Sequence, residues 1–320
     1  MALTAFYFLD VGQGDGTLIV FPNGATMLVD LGSKKNQKSA GLDAVGTVKT
    51  VLDTYCNKTR KIDYLVLTHG DGDHINLLPD LVDKEGFSFG QVYYGGKLGD
   101  YSSDVQTKVI KPAKVTYFYN KAYKKNLLSI GGVDVHVLAA NASTWGDDKN
   151  ANSVVLMFEY AKRRVILCGD AEQETEEFIL KNFSSHFLKA DVLKLAHHGS
   201  SSTNHEDWLK TVQPRIVTAS GDQKWGHPYK DTLERVKSCT KLGTIFKHQW
   251  VSGTYVSKKQ DYDWEVSQGT EAILTNIYDI AGSMGTSWQA CGVGYGVYLV
   301  DDGRIFVGDT LNNEAEAQVR

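Results

Sequence analysis

Four short, largely apolar segments of this 320-residue chain are each followed by histidines or aspartates. Unbroken apolar runs of this length are typical of strands that are buried on both faces of a sheet. In layered α/β proteins, ligands collect at the carboxyl ends of such strands. We therefore predict that these polar side chains share one pocket. They are His69, Asp71, Asp73 and His74 after Ile62–Leu67, Asp170 after Arg164–Cys168, His197 and His198 after Val192–Leu195, and His227 after Arg215–Ala219.

Strand-like and helix-like segments alternate along most of the chain, which indicates a layered α/β fold. The helical pattern is clear at about residues 40–56 and at Glu172–Lys181, and a further helix is predicted from Ile75. Towards the carboxyl end the pattern becomes β-like and rich in Gly. We predict a main domain, residues 1–248, with a β-rich extension, residues 249–320, packed on it. This extension is expected to shape an opening or a partner surface.

Composition excludes several classes of protein. Hydrophobic residues make up 42% of the chain and charged residues 22%, with only 5 Pro, which is typical of a folded globular chain. No apolar stretch approaches the roughly 18 residues that span a bilayer, and the amino end lacks the basic flank of a signal peptide. The 4 cysteines form no CxxC pair, as is typical of reduced thiols. We expect a cytoplasmic chain with no membrane segment.

The residue types in the predicted pocket favour a metal centre. Imidazole nitrogen and carboxylate oxygen are ligands of Zn²⁺ and Mn²⁺. The segment His69–His74 is the most specific part, because a solvated acidic turn would not need a histidine at each end. With 3 aspartates and up to 5 histidines at the strand ends, the pocket suits two divalent ions bridged by one carboxylate. Sites with two metals are used to hydrolyse esters and phosphoesters.

Five segments of the chain together carry a resemblance to a known family. With them, over about residues 3 to 240, the chain resembles the metallo-β-lactamase-fold hydrolases, and specifically the soluble hydrolase domain of the competence protein ComEC. The resemblance implies a four-layer αβ/βα sandwich with the metals at its upper edge. The matching segments are Leu9–Asp15 (LDVGQGD), Leu67–Ile75 (LTHGDGDHI), Cys168–Glu172 (CGDAE), Leu193–Ser200 (LKLAHHGS) and Gly226–Pro228 (GHP).

The resemblance also implies a metal-binding role for most of the polar residues at the strand ends. Two of them would hold one metal, three would hold the other, and one aspartate would bridge the pair. The implied ligands are His69 and Asp71 for the first ion, Asp73, His74 and His227 for the second, and Asp170 between them. The expected cofactors are two divalent metal ions, Zn²⁺ or Mn²⁺.

Two departures from the family pattern leave the metal count open. Most members of the superfamily have a histidine where Asp71 stands, and a carboxylate there favours Mn²⁺ more than a His-rich site would. The separate histidine that most members place before the Asp170 strand is not evident, since His136 lies within a strand pattern. Either His198 supplies that ligand or the first metal is weakly held.

The predicted reaction is hydrolysis by a metal-bridging hydroxide, because metal ions lower the pKa of water to about 7. Asp73 would orient this hydroxide as well as bind metal. His197 or His198 would protonate the leaving oxygen, a task for a group that titrates near neutral pH. The resemblance and an aromatic and basic stretch of the chain favour a phosphodiesterase or nuclease, whose substrate is a small-molecule or single-stranded nucleic-acid phosphodiester.

The aromatic and basic stretch Tyr117–Lys125 carries the nucleic-acid part of this prediction. Tyr, Phe and Lys interleaved in this way could stack bases and contact the phosphates of a single strand. The net charge of −4 argues against wide contact with a duplex. Two other functions stay open: a carbon-ester, thioester or lactam hydrolase with the same metals, and a non-catalytic partner-binding module. The sequence predicts no particular oligomeric state.

Overall fold

The first strand, Leu3–Leu9, is buried on both of its faces and contributes to two different cores. Ala5 and Tyr7 pack into one apolar cluster, whereas Phe6 and Phe8 pack into another. Successive side chains of a strand point to opposite faces of its sheet. The strand therefore lies in a sheet that is covered on both sides.

The computed structural model describes residues 2–34, 44–56, 59–118, 124–142, 148–222, 227–240, 244–246, 248–251, 254–257, 264–265, 272–278 and 294–309. Its first sheet has nine strands among these residues. They are β1 (Leu3–Leu9), β2 (Thr17–Val20), β3 (Thr26–Val29), β4 (Lys61–Leu67), β5 (Ser88–Tyr94), β6 (Lys114–Tyr117), β16 (Trp264–Glu265), β18 (Gly294–Val300) and β19 (Ile305–Asp309). Their order across the sheet is β16-β19-β18-β1-β2-β3-β4-β5-β6.

The second sheet has eight strands within the described part of the chain. They are β7 (Lys124–Ile130), β8 (Val133–Ala139), β9 (Val155–Tyr160), β10 (Arg163–Leu167), β11 (Val192–Lys194), β12 (Ile216–Asp222), β13 (Thr244–Phe246) and β17 (Ala272–Tyr278). Their order is β13-β17-β12-β11-β10-β9-β8-β7. A separate antiparallel pair is formed by β14 (His248–Val251) and β15 (Thr254–Ser257).

Helices cover the outer face of each sheet, so the molecule has four layers. One apolar core lies between the first sheet and its helices, a second between the two sheets, and a third between the second sheet and its helices. This arrangement confirms the predicted α/β sandwich. Among the described helices, none combines the length and the apolarity needed to cross a bilayer. The helices are α1 (Ala44–Tyr55), α2 (Gly72–Ile75), α3 (Leu78–Asp83), α4 (Ser103–Val105), α5 (Gln173–Asn182), α6 (Ser185–Leu188), α7 (Glu206–Val212) and α8 (Lys230–Cys239).

Parallel pairing brings the candidate site residues to the edges of the two sheets. β3, β4 and β5 pair in parallel in the first sheet, and β10, β11 and β12 pair in parallel in the second. The carboxyl ends of each parallel set therefore lie at one edge of their sheet. His69 follows β4, Asp170 follows β10 and His198 follows β11.

The helix that the sequence predicts from Ile75 begins earlier and is divided in two. α2 begins at Gly72, and α3 begins at Leu78 with Pro79 in its first turn. Proline is tolerated in the first turn of a helix but not in its interior, because it has no N–H to donate. Because α2 begins at Gly72, Asp73 and His74 lie on a helical turn rather than in a loop.

Strands from the carboxyl-terminal segment lie inside the two sheets. β18 pairs with β1 over its whole length, from Val300 opposite Leu3 to Gly294 opposite Leu9, and β17 pairs in parallel with β12. Side chains alternate between the two faces of any strand, whether it lies in a main sheet or in a separate extension. The alternation in the sequence therefore does not predict which strand is its neighbour. The division of the chain at residue 248 stays a prediction.

The aromatic and basic stretch Tyr117–Lys125 falls only partly on described residues. Phe118 is buried in the core between the sheets, where its ring stacks on Tyr93 with centroids 6.1 Å apart. It is therefore not available to stack on a nucleic-acid base, and the prediction is wrong for this residue. Tyr117 is partly buried against Tyr94, with ring centroids 4.9 Å apart, and residues 119–123, which hold the stacking positions Tyr119 and Tyr123, lie outside the described residues.

Candidate metal centre

The carboxylate of Asp170 lies at the centre of three buried imidazoles. Its Oδ1 is 3.0 Å from Nε2 of His74, and its Oδ2 is 3.8 Å from Nε2 of His69 and 3.7 Å from Nε2 of His198. Asp73 completes the group, with its Oδ2 3.5 Å from Nε2 of His198. The side chains of these five residues, the inner cluster, are at most 6% exposed.

A hydrogen-bond chain behind the inner cluster orients two of its histidines. Asp30 accepts hydrogen bonds from the Thr68 hydroxyl at 2.5 Å and from Nδ1 of His74 at 2.7 Å. Because the Thr68 hydroxyl donates to Asp30, its oxygen is left to accept from Nδ1 of His69, 3.0 Å away. Both imidazoles therefore carry a proton on Nδ1 and turn Nε2 towards Asp170.

His198 is oriented in the same way by the backbone of the second sheet. Its Nδ1 is 3.1 Å from the carbonyl oxygen of Ser220, which can only accept a hydrogen bond. Its Nε2 therefore also faces the centre. Histidines that bind metal almost always donate their other N–H to a carboxylate, a carbonyl or water. All three histidines of the inner cluster have an acceptor at that position.

Four atoms at the centre of the inner cluster form no hydrogen bond of good geometry in the described part of the chain, although Nε2 of His74 and Oδ1 of Asp170 are 3.0 Å apart as an ion pair. They are Nε2 of His69, His74 and His198, and Oδ1 of Asp170. Buried polar atoms are nearly always satisfied, so such a group needs an explanation. Divalent cations bound in the cluster would satisfy such atoms. Atoms of Asp15, His74, Asp170 and His198 lie within 4.8 Å of one another, as a shared ion requires. The residues therefore fit a divalent metal ion.

The other three predicted site residues form an outer group, Asp71, His197 and His227, that is nearer to solvent. The carboxylate of Asp71 is 40% exposed and lies 3.3 Å from Nζ of Lys149. His197 has its Nδ1 2.8 Å from Glu172 and its Nε2 3.8 Å from Oδ2 of Asp170. The side chain of His197 is 26% exposed, so it stands between the inner cluster and solvent.

His227 lies beside His197, with the two ring centroids 5.7 Å apart, and faces the inner cluster. Its ring centroid is 5.8 Å from that of His198, and its Nδ1 lies 3.1 Å from Nε2 of Gln13. The amide oxygen of Gln13 is buried with no partner among the described residues. Rotating this amide by half a turn would let the oxygen accept from Nδ1 and would leave Nε2 of His227 as a ligand atom.

The electrostatics of the site favour neutral histidines on its flanks and a charged pair in its middle. Burial lowers the pKa of His69 to about 4 and that of His227 to about 3, so both are neutral at pH 7. Burial opposes charge on His74 as well, but the carboxylates of Asp170 and Asp30 outweigh it and raise the pKa of His74 well above 6.5. Despite burial, His74 holds the pKa of Asp170 well below 3.8. A cation that binds there must displace the Nε2 proton of His74.

The loop between β1 and β2 packs directly beneath the inner cluster. A Cβ on Gly32 would lie 2.3 Å from the carbonyl carbon of Asp73, and a Cβ on Gly14 would lie 2.2 Å from the oxygen of Gly32. Both positions therefore exclude any side chain. The N–H of Asp15 donates to the carbonyl oxygen of Asp73 at 3.0 Å. The Gly-rich segment at the start of the chain thus holds the backbone of the turn that carries Asp73 and His74.

Sequence reasoning missed several residues that support the site. Asp30 follows β3 just as His69 follows β4, so the same strand-end rule could have found it. Lys194 is 3% exposed and its Nζ lies 2.5 Å from Asp15, and this ion pair raises the pKa of Lys194 in spite of its burial. A lysine inside an otherwise apolar run is the signal that could have been used. Thr68 is a neutral residue at a strand end and carries no such signal.

Comparison with protein families agrees with this geometry. A model of the metallo-beta-lactamase superfamily matches residues 9–221 of the chain. This chain belongs to the metallo-beta-lactamase superfamily. It is therefore a metal-dependent hydrolase by family, with a buried His and Asp cluster that fits a divalent ion. The resemblance drawn from its five sequence segments is confirmed.

Two curated proteins match this superfamily member over more than two thirds of its length. ComE operon protein 3 of Bacillus subtilis (strain 168) is 28% identical over 274 residues, which cover 77% of this chain and 33% of that protein. Recombination protein 2 of Haemophilus influenzae is 27% identical over 238 residues, which cover 71% of this chain and 26% of that protein. The chain thus spans about a third or less of the length of the curated relatives it matches.

Solved structures with a similar fold include the metallo-beta-lactamase fold protein YhfI from Bacillus subtilis. It has a TM-score of 0.44 and 12% sequence identity, and the match covers 86% of this chain and 96% of that one. The Zn²⁺-bound PqqB from Methylobacterium extorquens has a TM-score of 0.45 and 12% identity, over 74% of this chain and 95% of that one.

Proposed function

We propose that this chain is a metal-dependent phosphodiesterase or nuclease. The observation that supports this most directly is the convergence of three Nε2 atoms, without other partners among the described residues, on the carboxylate of Asp170. Imidazole and carboxylate ligands at this spacing suit Zn²⁺ or Mn²⁺. Superfamily membership makes hydrolysis the reaction, and the substrate class is our proposal.

The proposed site holds two divalent ions, with Asp170 between them. We propose that His198 joins the ligands, because its Nε2 faces both Asp73 and Asp170. This assignment takes up the alternative that the sequence left open, in which His198 replaces the missing family histidine. The proposed ligand set is therefore His69 and Asp71 on one side, Asp73, His74 and His227 on the other, and Asp170 and His198 at the centre.

When bound, the ions would lower the pKa of a water molecule to about 7 and neutralise charge on the phosphoryl oxygens. Asp73 would orient the attacking water, because its Oδ2 faces the centre. His197 would give a proton to the leaving oxygen. Its Nδ1 is held by Glu172 at 2.8 Å, and that hydrogen bond helps to raise the pKa of His197 above 6.5 in spite of burial. The raised pKa favours the protonated form of His197, and its partial exposure lets it reach a leaving group, as a general acid requires.

A single-stranded nucleic acid is the proposed macromolecular substrate, and two observations support it. One of the curated relatives is named as a recombination protein. The net charge of −4 disfavours wide contact with a duplex, because duplex affinity comes mainly from neutralised phosphates. A small-molecule phosphodiester would use the same site with fewer contacts.

Metal analysis combined with a substrate panel tests this proposal. The purified protein is assayed for Zn, Mn, Fe and Co and then given single-stranded DNA, RNA, duplex DNA and bis(4-nitrophenyl) phosphate. We expect bound metal and cleavage of the phosphodiesters, with the single strand preferred over the duplex. Asp73→Ala should abolish cleavage and leave the fold intact. Hydrolysis of a lactone or a β-lactam, with no cleavage of any phosphodiester, would instead support a carbon-ester or lactam hydrolase.

A further inference from the structure

Two lysines from separate parts of the chain pair with the two aspartates of the metal-binding turn. Nζ of Lys34 lies 2.8 Å from Oδ2 of Asp73, and Nζ of Lys149 lies 3.3 Å from Oδ1 of Asp71. Lys34 follows β3 in the first sheet, whereas Lys149 precedes β9 in the second. The same pairing thus occurs on both sides of one turn.

The backbone fixes Lys34 at the edge of the inner cluster. Its N–H donates to the carbonyl oxygen of Gln13 at 2.8 Å. The preceding residue, Ser33, is tied on both sides, by its N–H to Asn76 at 2.9 Å and by its hydroxyl to Val11 at 2.6 Å. The side chain of Lys34 is 38% exposed, so its ammonium reaches the buried Asp73 from the solvent side.

Lys149 is held beside the outer group by a turn. The carboxylate of Asp148 accepts from the N–H of Asn150 at 2.9 Å and from the N–H of Ala151 at 3.1 Å. Such a turn sets the direction in which the intervening lysine leaves the backbone. Its ammonium meets Asp71 at a point where both side chains are 40% exposed.

An ammonium and a divalent cation compete for the same carboxylate oxygens. Both are positive, so at contact distance they repel each other strongly in a partly buried site. We propose that Lys34 and Lys149 are placeholder lysines. They neutralise Asp73 and Asp71 while no metal is bound, and they leave these carboxylates when divalent ions bind.

The second part of the inference rests on the proposed function and concerns the substrate. Once divalent ions occupy the site, the ammonium groups of Lys34 and Lys149 are no longer paired with Asp73 and Asp71 and can attract an anionic phosphodiester. A displaced lysine ammonium remains near the turn on a flexible stem and acts as a mobile point charge for phosphate. The placeholder lysines therefore contact the phosphate oxygens of the substrate once the metal sites are filled.

Metal affinity tests the first part without any assay of activity. Lys34→Met and Lys149→Met are each stripped of metal, and Zn²⁺ or Mn²⁺ is titrated by calorimetry or against a chromophoric chelator. Removing the competing ammonium should tighten metal binding, on the order of threefold to tenfold for such partly exposed pairs. The matched control is Lys108→Met. Lys108 forms the same kind of ion pair, with its Nζ 2.6 Å from Oδ2 of Asp83, but lies outside the site. Metal affinity that is unchanged or weaker in both site variants overturns the placeholder role.

Phosphate affinity tests the second part. Inorganic phosphate is titrated into the metal-loaded proteins, and KM and kcat are measured for a phosphodiester. We expect each site variant to bind phosphate several-fold more weakly and to raise KM more than it lowers kcat, with Lys34→Arg retaining most of the affinity. Thermal melting confirms that each variant is folded.

The two arms separate the inference from the proposed function. If the loaded wild-type protein cleaves no phosphodiester but Lys34→Met binds metal more tightly, the proposed function fails and the placeholder role stands. If phosphodiesters are cleaved and both variants keep wild-type phosphate affinity, the substrate contact is overturned.

Discussion

The inner cluster and the outer group differ in how their side chains are held. The histidines of the inner cluster are at most 1% exposed, and each has its Nδ1 at an acceptor that is itself part of the packed interior. In the outer group, Asp71 and His197 are held by side chains that reach solvent, Lys149 and Glu172, and only His227 is held by a buried residue, Gln13. Folding alone therefore sets the geometry of the inner cluster, whereas the outer group can adjust.

This difference has an energetic consequence for the metal-free protein. A buried polar atom without a partner costs about 1–3 kcal/mol, and such atoms are concentrated in the inner cluster. An ion that satisfies them contributes to the stability of the fold as well as to chemistry. We therefore expect the inner cluster to dominate metal affinity, and the outer group to act mainly on turnover.

The largest effect is expected for Asp170, because every histidine of the inner cluster faces it. Asp170→Asn keeps the shape and removes the charge. We expect activity to fall on the order of 1,000-fold or more and the bound metal to fall below one ion per chain. Elemental analysis and turnover of the same preparation measure both. Asp302→Asn, at an exposed position far along the chain, is the control. Normal metal content in Asp170→Asn would show that the inner cluster does not dominate metal affinity.

A direct comparison of the two regions comes from His74→Ala and His227→Ala. Both remove one imidazole, but His74 is fully buried and is held by Asp30, whereas His227 is half-buried and is held by Gln13. We expect metal affinity to fall about 100-fold or more for His74→Ala and about tenfold for His227→Ala. Titration of the metal-free variants measures the ratio. Equal losses would show that the outer group is as firmly built as the inner cluster.

A smaller effect is expected behind the inner cluster, at Thr68. Thr68→Val keeps the volume but removes the hydroxyl that connects Asp30 to Nδ1 of His69. Partners of this kind typically contribute about 10-fold to 100-fold in metal affinity, and we expect a loss in the lower half of that range. Thr68→Ser, which keeps the hydroxyl, should bind metal nearly as well as wild type. Similar losses in both variants would point to packing rather than to the hydrogen bond.

The sequence predicted the position of the site better than the direction of its side chains. Strand ends can be recognised from apolar runs, and parallel strands bring their ends together, so His69, Asp170 and His198 could be placed in one pocket. Loop spacing does not say which side chain points inwards. Asp71 and Asp73 are two residues apart in one motif, yet Asp71 is 40% exposed and Asp73 only 6%.

Long-range pairing and neutral partners could not be predicted for a different reason. β18 is the neighbour of β1 although nearly the whole chain separates them, and no local pattern encodes that choice. The support given by Thr68 and Ser220 comes from a hydroxyl and a backbone carbonyl, groups that occur throughout any sequence. Only the folded geometry distinguishes the few that orient a histidine from the rest.

The smallest expected effect is on the stability of the fold, through hydrogen bonds on the outer face of the second sheet. Asn204 accepts a hydrogen bond from the N–H of Ala196 at 3.0 Å, next to the loop that carries His198. The carboxylate of Glu176 accepts hydrogen bonds from the N–H of Asn204 at 2.6 Å and from Nδ1 of His205 at 2.9 Å. The hydrogen bond to Glu176 raises the pKa of His205 above its ordinary value of 6.5.

A raised pKa means that the folded state holds the proton of His205 more tightly than the unfolded state does. The stabilisation is therefore fully present below pH 6.5 and is lost as the pH rises through the raised pKa. Because His205 is partly exposed, we expect it to contribute only a few tenths to about 1 kcal/mol. In urea unfolding, the difference in free energy of unfolding between wild type and His205→Gln should shrink from acidic to alkaline pH. A difference that widens with pH would contradict the sign of this linkage and the role of Glu176 as its partner.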